Sequence, residues 1–237
     1  MIVTYLFILL SALFVIESTT VLARKEGYRK NMPEAGLILQ SSLSLLSRIV
    51  IFMFMPLLGY AADQKILSMN LIELIFVYSI VPVSLFLTLI FKEKISLVYG
   101  VLIDRLKVHG SFFRRVDLEI SPEVKKVKVK RRIKVLYKFY LLVILTYIPF
   151  YMAWPVVVFL LDAFHDNRGM ILGLSSVFNG INTIIITMYI DPKLIKIGMN
   201  KRLIYSVYDD LLKMRFYSSL VVFMILLLLM IYELISF

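Results

Sequence analysis

The sequence predicts an all-α fold, a polytopic integral membrane bundle of about six spanning helices. Three observations predict it. Hydrophobic residues make up 60% of the 237-residue chain and the mean hydropathy is +0.87, against about 45–50% apolar residues in a soluble domain. The apolar residues gather into six runs of about 20, the length that crosses a bilayer core as a helix. The charged residues lie almost wholly between the runs, and Lys and Arg concentrate in alternate gaps.

The runs cover residues 2–23, 35–58, 69–91, 135–161, 169–190 and 216–236, one membrane domain over residues 1–237. In lipid every backbone donor and acceptor must be satisfied within the chain, which makes these runs helices. The short-period alternation of an outer-membrane barrel is absent. The first run has no basic segment ahead of it, and Val21-Leu22-Ala23 passes straight into Arg24-Lys25. It reads as a retained span, not a cleaved signal.

Charge orients the bundle. Lys and Arg number four over 24–34, one over 59–68, thirteen over 92–134, one over 162–168 and six over 191–215. The positive-inside bias puts the first, third and fifth connections in the cytoplasm and both termini outside. The net charge of +11 therefore reads as a membrane signal, with no nucleic-acid partner implied.

The basic loop 92–134 is the one sizeable soluble segment. Its stretch 97–108 mixes Val98, Val101, Leu102 and Leu106 with Asp104, Arg105 and Lys107, as an interfacial helix does. Ser121-Pro122-Glu123 has the form of a helix start. Residues 125–134 hold seven cations, a surface for anionic membrane lipids or for an acidic partner.

The second run carries the most telling polar residues. Gln40, Ser41, Ser44, Ser47 and Arg48 fall within about 120° of a helical wheel. A single polar face on an apolar span looks into the bundle or a wet cavity. Arg48 lies about 20 Å from the inner end at ~1.5 Å per residue. An unpaired Arg at such depth costs about 2.5–3.5 kcal/mol on insertion scales. Two readings stay open: a structural ion pair with Glu17 of the first run, or a cavity cation for an anionic substrate, with Glu17 beside it.

In the fifth run Asn179, Asn182 and Thr183 share a face. They serve either helix–helix hydrogen bonding, with Gly173 and Gly180 allowing close approach, or a substrate. Asp63 and Asp191 come after the second and fifth runs, a weak sign of a duplicated transporter half. The fourth run holds Pro149 and Pro155, which predict a kink, and Tyr151 and Trp154, which suit the outer aromatic belt. Cysteine is absent and histidine occurs only at His109 and His165. No P-loop, GxSxG or HExxH pattern occurs. No catalytic residue, metal site or cofactor is predicted, and the chain does not read as an enzyme.

Together these residues resemble the Amj family of bacterial lipid II flippases. The resemblance rests on Ile16-Glu17 followed by Arg24 and Gly27, then Ser44-Leu45, Ser47-Arg48, Pro56, Gly59 and Asp63. It ends with Asn179-Gly180-Ile181-Asn182-Thr183 and Asp191-Pro192. The third loop here is more basic and the last span more aliphatic than that family's pattern. The resemblance implies a multi-pass protein of the bacterial cytoplasmic membrane. It would carry an undecaprenyl-diphosphate-linked peptidoglycan precursor to the outer leaflet. Glu17, Gln40, Ser44, Ser47, Arg48, Asp63, Asn179, Asn182 and Asp191 are then the candidate substrate-binding residues. Arg24, Lys25, Arg29 and Lys30 form a surface for gathering anionic heads. The alternatives are a transporter of another anionic lipid or small anion, and a membrane scaffold acting through its basic loop.

The cysteine-free chain allows a clean test of orientation. In intact cells, Gln64→Cys is expected to react with a membrane-impermeant maleimide, and Glu34→Cys only after permeabilisation. The opposite pattern overturns the topology.

Overall fold

The computed structural model describes residues 2–64, 71–112, 114, 133–198 and 201–236. They are almost wholly helical, with no strand among the described residues. Helix α1 (Ile2–Arg29) turns sharply into α2 (Pro33–Asp63). Asn31 takes a left-handed conformation at the turn, φ 55°, which Asn tolerates better than most residues. Pro33 then starts α2, where its missing N–H leaves no helical bond unmade. The two helices cross at Gly27 and Gly36. A Cβ on Gly27 would lie 2.5 Å from the Gly36 Cα, so only glycine allows the approach.

The third span divides into α3 (Leu71–Tyr78) and α4 (Ile80–His109). Pro82 explains the break, since it cannot donate to the Tyr78 carbonyl and its ring crowds that group. Helix α4 continues far past residue 91 and closes on Gly110, φ 66°, whose N–H bonds the Leu106 carbonyl at 2.8 Å. Residues 97–108 are thus the end of a spanning helix and not a separate interfacial one. Tyr99 and Ile103 are buried there. The basic stretch 125–132 and the Ser121-Pro122-Glu123 start lie outside the described residues.

Helix α5 (Ile133–Ala163) runs as one α-helix through Pro149 and Pro155. A short 3-10 turn, His165–Asn167, leads into α6 (Arg168–Ile185). A π-turn, Ile186–Ile190, joins α6 to α7 (Asp191–Gly198). The π-turn stands directly ahead of Asp191-Pro192, where proline denies the helix a donor. Helix α8 (Lys201–Ser236) completes the bundle. Six helical stretches are long and apolar enough to cross a membrane, as a multi-pass membrane protein requires.

Helix α1 packs on α2, α4 and α8, α8 on α5, and α5 on α6. Helices α2 and α6 scarcely meet. The order α2–α1–α8–α5–α6 is a ring broken between its ends, with α4 packed against α1 and α8. The core is aromatic as well as aliphatic. Tyr78 stacks on Trp154 at 5.7 Å and on Phe223 at 6.3 Å. Tyr151 and Trp154 are buried in this core and not in an aromatic belt, because their rings fill space between α1, α3 and α8. Large apolar side chains such as Phe52, Phe76 and Phe159 are exposed, as lipid-facing positions are.

At the end where α1 meets α2, here the basic end, ion pairs tie the helices. Lys25 meets Asp209 at 2.8 Å, and Lys92 meets the same carboxylate at 3.5 Å. Lys30 meets Asp104, Arg24 meets Asp191, and Arg29 meets the fully buried Glu26 at 2.7 Å. The four cations expected to gather anionic heads are therefore engaged inside the bundle, and Arg24 and Lys25 are buried.

The glycine crossing yields a test. Gly27→Ala is expected to lower stability by about 1–3 kcal/mol, the cost of overpacking. Gly180→Ala, whose added Cβ meets nothing within 4 Å, should change it by less than about 0.5 kcal/mol. Unfolding of the two variants in detergent measures the difference.

Candidate functional site

The break in the ring is occupied by a cavity of about 500 Å³, within the ~300–1,000 Å³ range of small-molecule sites. Leu13 and Glu17 of α1 form its back wall. One side is the α2 face from Leu37 to Ile51, including Gln40, Ser41, Ser44, Ser47 and Arg48. The other is Asn179, Asn182 and Thr183 of α6 with Ile186 and Thr187 of the π-turn. Phe150, Asp191 and Arg215 complete it. Exposed Ser41, Leu45 and Arg48 on one edge face exposed Thr183 and Thr187 on the other. The cavity is open sideways, where α2 and α6 do not pack.

Its two ends differ. Towards the basic end lie the Arg24–Asp191 pair and Tyr208. Towards the opposite end lies a separate cavity of about 30 Å³, no smaller than the one that Arg24, Asp191 and Tyr208 line at the basic end. It is lined by Phe14, Phe54, Phe150 and Trp154 with Ser175 and Asn179. The polar chamber thus sits in the basic half of the bundle, with these aromatic side chains beyond it.

Helical periodicity assembles most of the wall. The arc read from α2 is the arc that faces the cavity. Ser47 is buried, with its Oγ 3.1 Å from Glu17 Oε2 and 2.9 Å from the Ser44 carbonyl. Glu17 accepts from Ser47 and makes no ion pair with Arg48. Arg48 is exposed to the opening and has no ion-pair partner among the described residues. The pairing of Glu17 with Arg48 is not formed: the buried Ser47 is the α2 residue that meets Glu17, and Arg48, the next residue round the helix, is exposed at the opening.

On α6, Thr183 donates to its own helix at the Asn179 carbonyl, 2.8 Å. Asn182 is buried, yet its Oδ1 finds no partner among the described residues. Gln40 Oε1, across the cavity, is likewise buried and unpartnered. Buried polar atoms are rarely left so, and both call for a donor from water or a ligand. The helix–helix reading of this face fails for a second reason: a Cβ at Gly173 or Gly180 would touch nothing.

Asp63 does not belong to the site. It closes α2 at the opposite end of the bundle and pairs there with Arg168. Its exposure and the length of α2 keep it away from the cavity. Asp191 does reach the cavity, held by Arg24. Sequence reasoning misses Arg215, which sits in the wall at 4% exposure. Its position just ahead of an apolar run places it among the cations of the last connection, but α8 begins at Lys201 and carries it inward.

No family model, curated protein or solved structure matches the chain.

The cavity predicts which positions meet water. Ser44→Cys and Thr183→Cys are expected to react with a charged methanethiosulfonate reagent. Phe54→Cys and Val143→Cys, buried in the core, should react at least about tenfold more slowly, as enclosed thiols do. Equal rates at all four positions would refute a wet chamber.

Proposed function

We propose that this protein is a flippase for a lipid with an anionic, sugar-bearing head, of the polyprenyl-diphosphate-linked cell-wall precursor class. One observation carries the reading: a polar chamber that opens sideways between α2 and α6 and is lined by the guanidinium groups of Arg48 and Arg215. A lipid head cannot cross hydrocarbon unaided, because its polar groups would lose their hydrogen bonds. A chamber open to the side offers the head a polar path while the tail stays in lipid. A small anion needs no lateral opening, and a scaffold needs no polar chamber.

In this proposal the membrane is the bacterial cytoplasmic membrane, with the basic end inside, as the positive-inside bias favours. The chamber then lies in the inner half of the membrane, where the precursor head starts. The aromatic side chains of Phe14, Phe54, Phe150 and Trp154 lie between it and the outer half. A head with two negative charges moving outward gains about 4.6 kcal/mol per 100 mV, at ~2.3 kcal/mol per charge. The potential supplies a driving force without nucleotide chemistry. The wall groups bind and release. No bond to the substrate forms or breaks.

Arg48, at the mouth, makes the first contact with the head. Its planar fork suits phosphate oxygens. In liposomes holding purified lipid-linked precursor, wild-type protein is expected to expose labelled heads to an outside reagent. Arg48→Gln should slow this about tenfold or more, the loss of one charge-assisted contact. Lys138→Gln, on the exposed side of α5, should leave it unchanged. The proposal fails if wild-type protein moves no precursor.

A further inference from the structure

Resting on the flippase reading, we infer that Arg215 is a second anion-binding residue, and that with Arg48 it makes the cavity select a diphosphate over a single phosphate.

Arg215 is buried and its site is built around it. Its Nη1 donates to the Glu17 carbonyl at 2.7 Å and lies 3.2 Å from Thr20 Oγ1. Its Nη2 donates to the Tyr147 hydroxyl. The guanidinium carbon lies 4.5 Å from the Tyr147 ring centre. These contacts come from α1 and α5 and fix the side chain from two sides. None of these partners carries a negative charge. The Nε is buried and has no acceptor among the described residues, and Nη2 has a second N–H beyond the one given to Tyr147.

A buried cation without a counter-charge is costly, by several kcal/mol per ion. At the basic end the chain supplies carboxylates to the buried Arg24 and Lys25 and to the half-buried Arg29 and Lys30. Arg24 has Asp191, Lys25 has Asp209, Arg29 has Glu26 and Lys30 has Asp104. Carboxylates are thus supplied where cations serve packing. Among the described residues, none lies within ion-pair reach of the two guanidinium groups that line the cavity. Two acids share the wall with them: Asp191 is held by Arg24, and Glu17, whose carboxylate accepts from Ser47, acts on Arg215 only from beyond ion-pair distance.

The two arginines approach from different sides. Arg48 stands on α2 at the opening and is exposed there. Arg215 stands on α8 in the opposite wall and is clamped. A single phosphate satisfies one guanidinium fork. Two linked phosphates can engage both, one at the mouth and one at depth. The remaining wall groups suit the sugar that such a lipid carries beyond its diphosphate. Glu17, Gln40 Oε1 and Asn182 Oδ1 are acceptors, and phosphate offers them no proton. A sugar with hydroxyl and amide donors does.

Binding to the purified full-length protein in detergent tests this, with farnesyl diphosphate and farnesyl monophosphate as probes. Wild-type protein is expected to prefer the diphosphate by about tenfold or more, the value of one charge-assisted contact. Arg215→Lys keeps the charge but loses the fork, and should reduce the preference to within about threefold. Arg215→Gln should abolish it. Tyr147→Phe removes the hydroxyl clamp but keeps the ring, and should weaken diphosphate binding while sparing monophosphate. Trp154 fluorescence and the melting temperature establish that each variant is folded, and if the Gln variant is not, the Lys variant decides. Retention of the full preference in a folded Arg215→Lys protein overturns the inference, as does a wild-type protein indifferent to the second phosphate. Failure of wild-type protein to move lipid-linked precursor overturns the flippase reading instead. A diphosphate preference that still depends on Arg215 would survive it.

Discussion

The stretch from Arg24 to Lys30 places four charged side chains in the last turns of α1, the most enclosed span of the bundle, and a fifth directly after it. Carboxylates meet them from α4, from α7 and from α8, besides Glu26 within the stretch itself. In a weakly polar interior, removing one partner of such a pair costs about 3–5 kcal/mol. The network therefore fixes where α4, α7 and α8 stand around α1. Helix α2 joins α1 differently, through the Gly27–Gly36 contact, which carries no charge and leaves the polar arc of α2 turned towards the ring's interior. Helix α6 has one such tie, from its first residue Arg168 to Asp63 at the end of α2, and no ion pair along the rest of its length among the described residues. It leans on α5 and is tethered at its basic end by Asp191. The broken ring is the outcome of this unequal distribution of ties.

The same distribution separates two populations of arginine and lysine. Arg24, Lys25 and Lys30 at the basic end are paired with carboxylates of other helices, and their role is to hold helices together. Arg48 and Arg215 have no carboxylate partner among the described residues and border open space. Both groups are cationic and both belong to spanning helices, so composition alone cannot tell them apart. What distinguishes them is whether the fold brings a carboxylate within about 4 Å, the reach of an ion pair. The buried amide oxygens of Gln40 and Asn182 extend the pattern. Both oxygens, like the Arg215 Nε, belong to residues that border one cavity.

Much of this was legible in the sequence, and the reasons are specific. The six spans are dictated by hydropathy, because lipid leaves a spanning chain no alternative to helices. The cavity face of α2 is dictated by the 3.6-residue period, since Gln40, Ser44, Ser47 and Arg48 can share a face only as a helix. The face of Asn179, Asn182 and Thr183 was visible for the same reason. Pairings were not legible. The Arg24–Asp191 contact joins residues 167 apart in sequence, and no periodicity reports it. Arg215 was hidden because a cation just before an apolar run has the pattern of a loop residue. Helix α8 in fact begins well before that run, and its first half packs on α1. Asp63 misled because an acid after a span looks the same whether it faces a cavity or closes a helix onto Arg168. The Gly27–Gly36 crossing was also invisible, since glycine spacing within one helix says nothing about a glycine on its neighbour.

The lateral opening can be traced to the same electrostatic constraint as the fold. Arg215 tolerates burial because a carbonyl, two hydroxyls and an aromatic face surround it. Arg48 has no such surroundings. If α2 and α6 closed on each other in an empty protein, Arg48 would be enclosed with Asn182 and Thr183, neither of them an anion. The guanidinium would lose its hydration, and the two acids of the wall are already engaged, Glu17 by Ser47 and Asp191 by Arg24. Closure is therefore opposed by the very residue that guards the opening. An anion in the cavity reverses the balance. It supplies the missing charge to Arg48 and Arg215 together and lets the walls approach without stranding either. In the proposed function the two arginines would do two jobs with one property, holding the chamber open when it is empty and favouring its closing when an anion fills it.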